Sequence, residues 1–170
     1  MNCQNPSLPE TRLVAAAKAR RLRLAVAESC TGGMIAQRIT AVPGASAMFL
    51  GGVVSYANDV KRDLLGVGQE ILDREGAVSL DCAEAMAVGA RKRLGADLAV
   101  SVTGIAGPDG GTPDKPVGLI CFGVASNSGA HSEKHVFKGD RAGIRLQAAD
   151  HAIALALAEL GNVKPPEPQA

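Results

Sequence analysis

The chain has 170 residues, 46% hydrophobic, with a formal net charge of +1 and interspersed charges. That is enough apolar content for a packed core and too much for wholesale disorder. With one Tyr, three Phe and no Trp, and with no basic patch, it lacks the aromatics and cationic face on which nucleic acids dock. No apolar run is long enough to span a membrane. The first ten residues lack the basic and apolar regions of a signal peptide.

In chain order, residues 1–8 read as frayed. Pro9 suits the first turn of a helix whose apolar face carries Leu13, Val14 and Ala17. Leu22–Ala27 is a first strand, and Gly33–Thr40 a helix ended by Val42-Pro43-Gly44. Met48–Ser55 is a second strand in which Gly51 and Gly52 predict a bulge or a close backbone approach. Asn58 is placed to cap a short helix over Asp59–Leu65, and a second short helix covers Glu70–Glu75. Ser79 caps a long helix that runs through Leu94 and ends at Gly95.

Leu98–Val102 is a third, buried strand, followed by a long glycine- and proline-rich loop, Thr103–Pro116. Loops of that length in small domains often carry function. Val117–Ala125 and His131–Lys138 form an antiparallel pair, and Asp140 caps a final helix, Arg141–Leu160. The tail from Gly161 is too polar to pack. The elements predict one α/β domain over residues 1–170, a three-layer α/β/α sandwich with a mixed, mostly parallel sheet.

Three strands run into hydroxyls: the first into Ser29, the second into Tyr56, the third into Thr103. If the strands are parallel, all three emerge at the carboxyl edge of one sheet, where open α/β folds bind ligands. A hydroxyl after a strand is most often only a helix cap; the coincidence of three is more telling. Cys30, Thr31, Gly32 and Gly33 open the following helix. Their N–H groups await an anion or a developing oxyanion.

A serine nucleophile needs a base. His131, His135 and His151 all lie late and away from any strand end, and read as solvated or packed. Lys61, one short turn beyond Tyr56, is the alternative, since a desolvated lysine can deprotonate serine. Cys30 is the rival nucleophile, although a small buried cysteine is the commoner role. Glu28 points away from its neighbour Ser29 and is assigned an orienting or structural role. Arg141 and Arg145 share a helix face, and either can clamp an anion. The four cysteines are scattered, and no His, Cys and carboxylate cluster shows metal-ligand spacing in sequence. No metal, no cofactor and a reduced, cytoplasmic setting are therefore expected.

The motifs Ala27-Glu-Ser-Cys-Thr-Gly-Gly, Gly51-Gly-Val-Val-Ser-Tyr-Ala-Asn-Asp-Val-Lys, Leu64-Leu-Gly-Val and Ser101-Val-Thr-Gly-Ile-Ala-Gly-Pro-Asp-Gly-Gly-Thr-Pro-Asp-Lys-Pro-Val-Gly resemble the CinA C-terminal domain family. So does Gly139-Asp-Arg-x-x-x-Arg145, and the resemblance spans residues 10 to 160. It implies a homo-oligomeric amidohydrolase that converts nicotinamide mononucleotide to nicotinate mononucleotide and ammonia. It matches Ser29 to the nucleophile, Lys61 to the general base and Tyr56 to a tyrosine near that pair. It matches Thr103 and Arg145 to pocket residues. The stand-alone form, without an upstream molybdopterin-binding-like domain, is expected. The turn Gly44-Ala45-Ser46 or Arg145 is a candidate holder of the substrate phosphate. Asn58 and Gly104 are further candidates for substrate contact. A non-catalytic nucleotide- or partner-binding module is the alternative.

Overall fold

Strand β1 (Leu24–Glu28) is buried along its whole length because both of its faces are covered. In the computed structural model, which describes residues 5–164, it lies inside a five-stranded sheet of order β2-β1-β3-β4-β5. The other strands are β2 (Phe49–Val54), β3 (Leu98–Gly104), β4 (Leu119–Ser126) and β5 (Gly129–Val136). β1 pairs parallel with β2 and β3, while β4 is antiparallel to both β3 and β5. Four of the five strands therefore point the same way, and the sheet is mixed, as expected.

The helices are α1 (Pro9–Ala19), α2 (Met34–Thr40), α3 (Asn58–Leu65), α4 (Gln69–Arg74), α5 (Leu80–Leu94) and α6 (Arg141–Glu159). The alternation of side chains along each strand sorts them into two layers. Leu24, Val26, Val100, Val102 and Phe122 face α1, α2 and α6 in the larger core. Ala25, Ala27 and Ala99 face α3, α4 and α5. The small residues on the second face let α5 approach closely. A Cβ on Gly123 would lie 2.2 Å from the Ala83 carbonyl oxygen, to which the Ser101 hydroxyl donates.

α3 is seated on α5 by the same device, since a Cβ on Gly89 would lie 1.9 Å from the Leu65 carbonyl oxygen. We expect Gly89→Ala to force the two helices apart and cost about 1–3 kcal/mol. A urea titration would show this as a lower midpoint at unchanged slope; an unmoved midpoint would show that the contact yields freely. No helix among the described residues is long and apolar enough to cross a membrane.

Several boundaries differ from the sequence-based expectation for local reasons. The bulge in β2 is present: register passes from Leu24↔Phe49 to Ala25↔Gly51, leaving Leu50 over, and a Cβ on Gly52 would lie 2.6 Å from Val26 Cγ2. Asn58 is not a cap; it is the first residue of α3, with Ala57 in the cap position and no side-chain cap bond. Ser79 and Asp140 do cap, accepting from Cys82 N and Gly143 N. Thr103 and Gly104 belong to β3 rather than to the loop.

Both ends depart from the frayed reading within the described residues. Ser7 donates through N and Oγ to Asn5 Oδ1 at 3.0 and 2.7 Å, closing a turn before α1. Past α6, Val163 is buried in the core, and the Arg20 guanidinium donates to the carbonyls of Leu160 and Val163. Residues 1–4 and 165–170 lie outside the described residues.

Candidate active site

The parallel trio β2-β1-β3 delivers Ser29, Ser55-Tyr56 and Thr103 to one edge of the sheet. Ser29 follows β1 directly, and its N–H donates to Val102 O at 2.9 Å. Alternation sends its hydroxyl to the α3/α5 face and sends the Glu28 carboxylate to the α2 face.

Lys61 comes from the first turns of α3. A helical side chain leans back toward the N-terminus of its helix, so the amine returns to the chain that enters α3. Its Nζ lies 2.8 Å from Ser55 O, 3.3 Å from Tyr56 O and 3.1 Å from Ser29 Oγ. The residue is 1% exposed. No carboxylate forms an ion pair with it among the described residues.

Burial lowers the Lys61 pKa below the ordinary lysine value. Cys82 and Cys30 act in the opposite sense. Both thiols, however, are pushed up to about 11 by burial and carry no charge at neutral pH. A neutral amine has two N–H donors and one lone pair, and three partners surround it. The two carbonyls can only accept, so they take the two N–H groups. The lone pair is left for the Ser29 hydroxyl, whose proton it can take. The same burial makes Cys30 a poor rival nucleophile, because the thiolate is the reactive form.

The helix N-terminus is not waiting for an anion, because this chain supplies one. Glu28 Oε2 accepts from Gly33 N at 2.9 Å and Ile35 N at 3.1 Å, and Oε1 accepts from Ala36 N at 2.8 Å. Gly32 N donates to Ser29 O at 3.1 Å. The N–H groups of Gly32 and Gly33, expected to await an anion, are therefore already taken within the turn. The N–H groups of Cys30 and Thr31, next to Ser29, face the Cys30 sulfur and donate to no oxygen among the described residues. Thr31 is not the cap either: its Oγ1 is buried without a hydrogen-bond partner.

Arg145 holds this turn from outside. Its Nε donates to Cys30 O at 3.0 Å and its Nη2 to Thr31 O at 2.8 Å. It fastens the Ser29 turn in this structure through two of its five N–H donors, and it does not line the cavity beside Ser29. Arg141, one turn earlier on α6, instead donates to Gly107 O at 2.8 Å and to the Tyr56 hydroxyl at 3.0 Å.

A cavity of about 210 Å³ opens beside Ser29 and Lys61; Tyr56, Asn58, Thr103 and Arg141 line it, with Cys30 and Gly104 beneath. Tyr56 touches Lys61 through its carbonyl, while the residue as a whole is 61% exposed and its hydroxyl meets Arg141. Thr103 donates to Ala77 O at 2.8 Å and so ties the segment before α5 to the cavity wall.

Gly44, Ala45 and Ser46 do not join this site. They precede β2, and the Met48 carbonyl that follows them receives Leu24 N at the start of β1. That is the amino edge of the sheet, opposite to Ser29. The late histidines lie away from this site, as expected, and His135 and His151 converge on Glu133.

Residues 8–160 match the family model of the CinA C-terminal domain. A CinA-like protein of Geotalea uraniireducens (strain Rf4) is 55% identical over 123 residues, 72% of this chain and 29% of that protein. A CinA-like protein of Anaeromyxobacter sp. (strain K) is 52% identical over 148 residues, 87% of this chain and 36% of that protein. The chain spans about a third of the length of the curated relatives it matches. Among solved structures, the competence/damage inducible protein CihA from Agrobacterium tumefaciens is 41% identical, with a TM-score of 0.87 over 90% of this chain and 93% of that one. The competence damage-inducible protein A (ComA) from Klebsiella pneumoniae subsp. pneumoniae MGH 78578 is 33% identical, with a TM-score of 0.88 over 92% and 97%. A match across nearly the whole described chain, in both sequence and fold, places this protein in the CinA C-terminal domain family.

Proposed function

We propose that the chain is an amidohydrolase that cleaves nicotinamide mononucleotide to nicotinate mononucleotide and ammonia. The observation that carries this reading is the buried amine of Lys61, 3.1 Å from Ser29 Oγ with no competing carboxylate. Lys61 takes the Ser29 proton as Oγ forms its bond to the amide carbon. The oxyanion is received by the N–H groups of Cys30 and Thr31; one such donor is worth about 2.7–4 kcal/mol. Lys61 returns the proton to the amide nitrogen as the C–N bond breaks and ammonia leaves. Water, deprotonated by the same amine, then releases the acid and restores Ser29.

The cavity is smaller than the roughly 300–1,000 Å³ of whole-ligand pockets, which suits a pyridine carboxamide with its ribose phosphate outside. Arg141 stands at that mouth and is the anion contact in this reading. A cytoplasmic, homo-oligomeric state belongs to the same proposal.

Incubating the purified chain with nicotinamide mononucleotide should yield equal amounts of ammonia and nicotinate mononucleotide, and free nicotinamide should react far more slowly. No ammonia from either would favour a binding module instead. The rate should fall as pH drops, because protonating Lys61 removes the base, and the limb should lie below the ordinary lysine value of 10.5. Lys61→Arg, which keeps the charge but cannot give up its proton, should lower kcat by about 10²–10⁴-fold. A variant as active as the parent at neutral pH would make Lys61 a structural residue.

A further inference from the structure

Glu133 and His135 are two apart on β5, so both project from the same face, toward α6. His151 on α6 meets them there. One ligand atom from each lies within 4.8 Å of the other two. Glu133 Oε1 is 3.2 Å from His135 Nε2 and is also in contact with His151 Nε2. A single carboxylate oxygen thus faces two imidazole nitrogens. The only ion-pair partners of Glu133 among the described residues are these imidazoles.

The rings are held in place. Phe122 packs on His151 at a centroid distance of 4.6 Å, and Phe137 stacks on His135 at 6.0 Å with 19° between planes. Two of the three phenylalanines in the chain are spent on orienting two histidines. Glu133 and His151 are half-buried and His135 is exposed, so one side remains open to water. Glu133 shares a cross-strand row with Phe122, Val102 and Glu28, three strand spacings from β1, or about 14 Å. It is independent of the Ser29 site.

We propose that Glu133, His135 and His151 form a binding site for a divalent transition-metal ion of the zinc, cobalt or nickel class. Two imidazoles and one carboxylate from one side, with water completing the shell, is a donor set these ions accept. Bringing three donors to cis separations of about 3 Å around a 2.0–2.1 Å bond length requires only side-chain adjustment. The ion displaces the protons that the Nε2 atoms share with Oε1, and ties edge strand β5 to the middle of α6.

The test uses the full chain carrying Cys3→Ser, which removes the thiol outside the described residues as a competing ligand. After treatment with chelator it is titrated with Co²⁺ and the visible ligand-field absorption is followed. We expect a band that saturates at one equivalent and is displaced by Zn²⁺. His131→Gln, on the same strand face, should keep the band. The pair His135→Gln with His151→Gln should weaken binding at least about 100-fold. Zn²⁺ should raise the Tm of the parent and leave that of the double variant, whose metal-free fold is checked by circular dichroism, unmoved. No band in the parent, or equal binding by the double variant, would overturn the proposal.

Discussion

Ser29→Ala will abolish ammonia release from nicotinamide mononucleotide, with kcat down by about 10⁴-fold or more, while the stability of the chain changes by about 1 kcal/mol at most. The expectation follows from the surroundings of the hydroxyl. Removing it takes away one of three partners of Lys61, and the carbonyls of Ser55 and Tyr56 still hold the amine. The neighbouring thiol cannot stand in, because burial pushes Cys30 up to about 11 and keeps it protonated. A coupled ammonia assay beside a urea titration separates the two effects. Turnover near that of the parent in Ser29→Ala would sink the serine mechanism outright.

The largest effect on stability should come from the residue before it. Glu28 is 1% exposed, and its carboxylate accepts three backbone N–H groups at the start of α2. Glu28→Ala leaves all three without a partner in a dry site and should cost about 3–5 kcal/mol. Against a typical total of roughly 5–15 kcal/mol, that is enough to unfold a sizeable share of the molecules. Glu28→Gln should cost about half as much. Both oxygens of Glu28 are in use, and an amide offers only one, so its NH₂ would face an N–H group. Denaturant midpoints for the three chains test this ranking. A loss under about 1 kcal/mol in Glu28→Ala would mean that water replaces the carboxylate freely.

What the sequence disclosed about this site was what period and chain order can express. The two-residue period of β1 puts Glu28 and Ser29 on opposite faces, and chain order puts Lys61 one short helix after β2. What it concealed depended on facts that only three-dimensional assembly creates. Gly44-Ala45-Ser46 has the composition of an anion-binding turn, yet β2 starts after it, so parallel pairing carries it to the wrong edge. Arg145 has the charge of a phosphate ligand, but its guanidinium lies against the carbonyls of Cys30 and Thr31 and not in the cavity lining. The N–H groups of Gly32 and Gly33 resemble an empty cradle until the acceptors Ser29 O and Glu28 Oε2 are counted. His151 lies sixteen positions beyond His135, a separation with no meaning until α6 folds back over β5. Glu133-x-His135 was the one local hint, two donors on one strand face.

The adjacency of Glu28 and Ser29 also fixes how β1 can vary. A pleated strand has parity: a shift by one residue exchanges its faces. Such a slip would aim the hydroxyl at the start of α2, where three N–H groups require an anion. The carboxylate would swing to Lys61 and hold it as an ammonium ion in a buried salt bridge. The fold would lose its cap and, in the proposed mechanism, Ser29 would lose its base in one step. The strand that places the chemistry therefore tolerates length changes only in pairs of residues, and the correct phase is enforced by stability before any substrate is met.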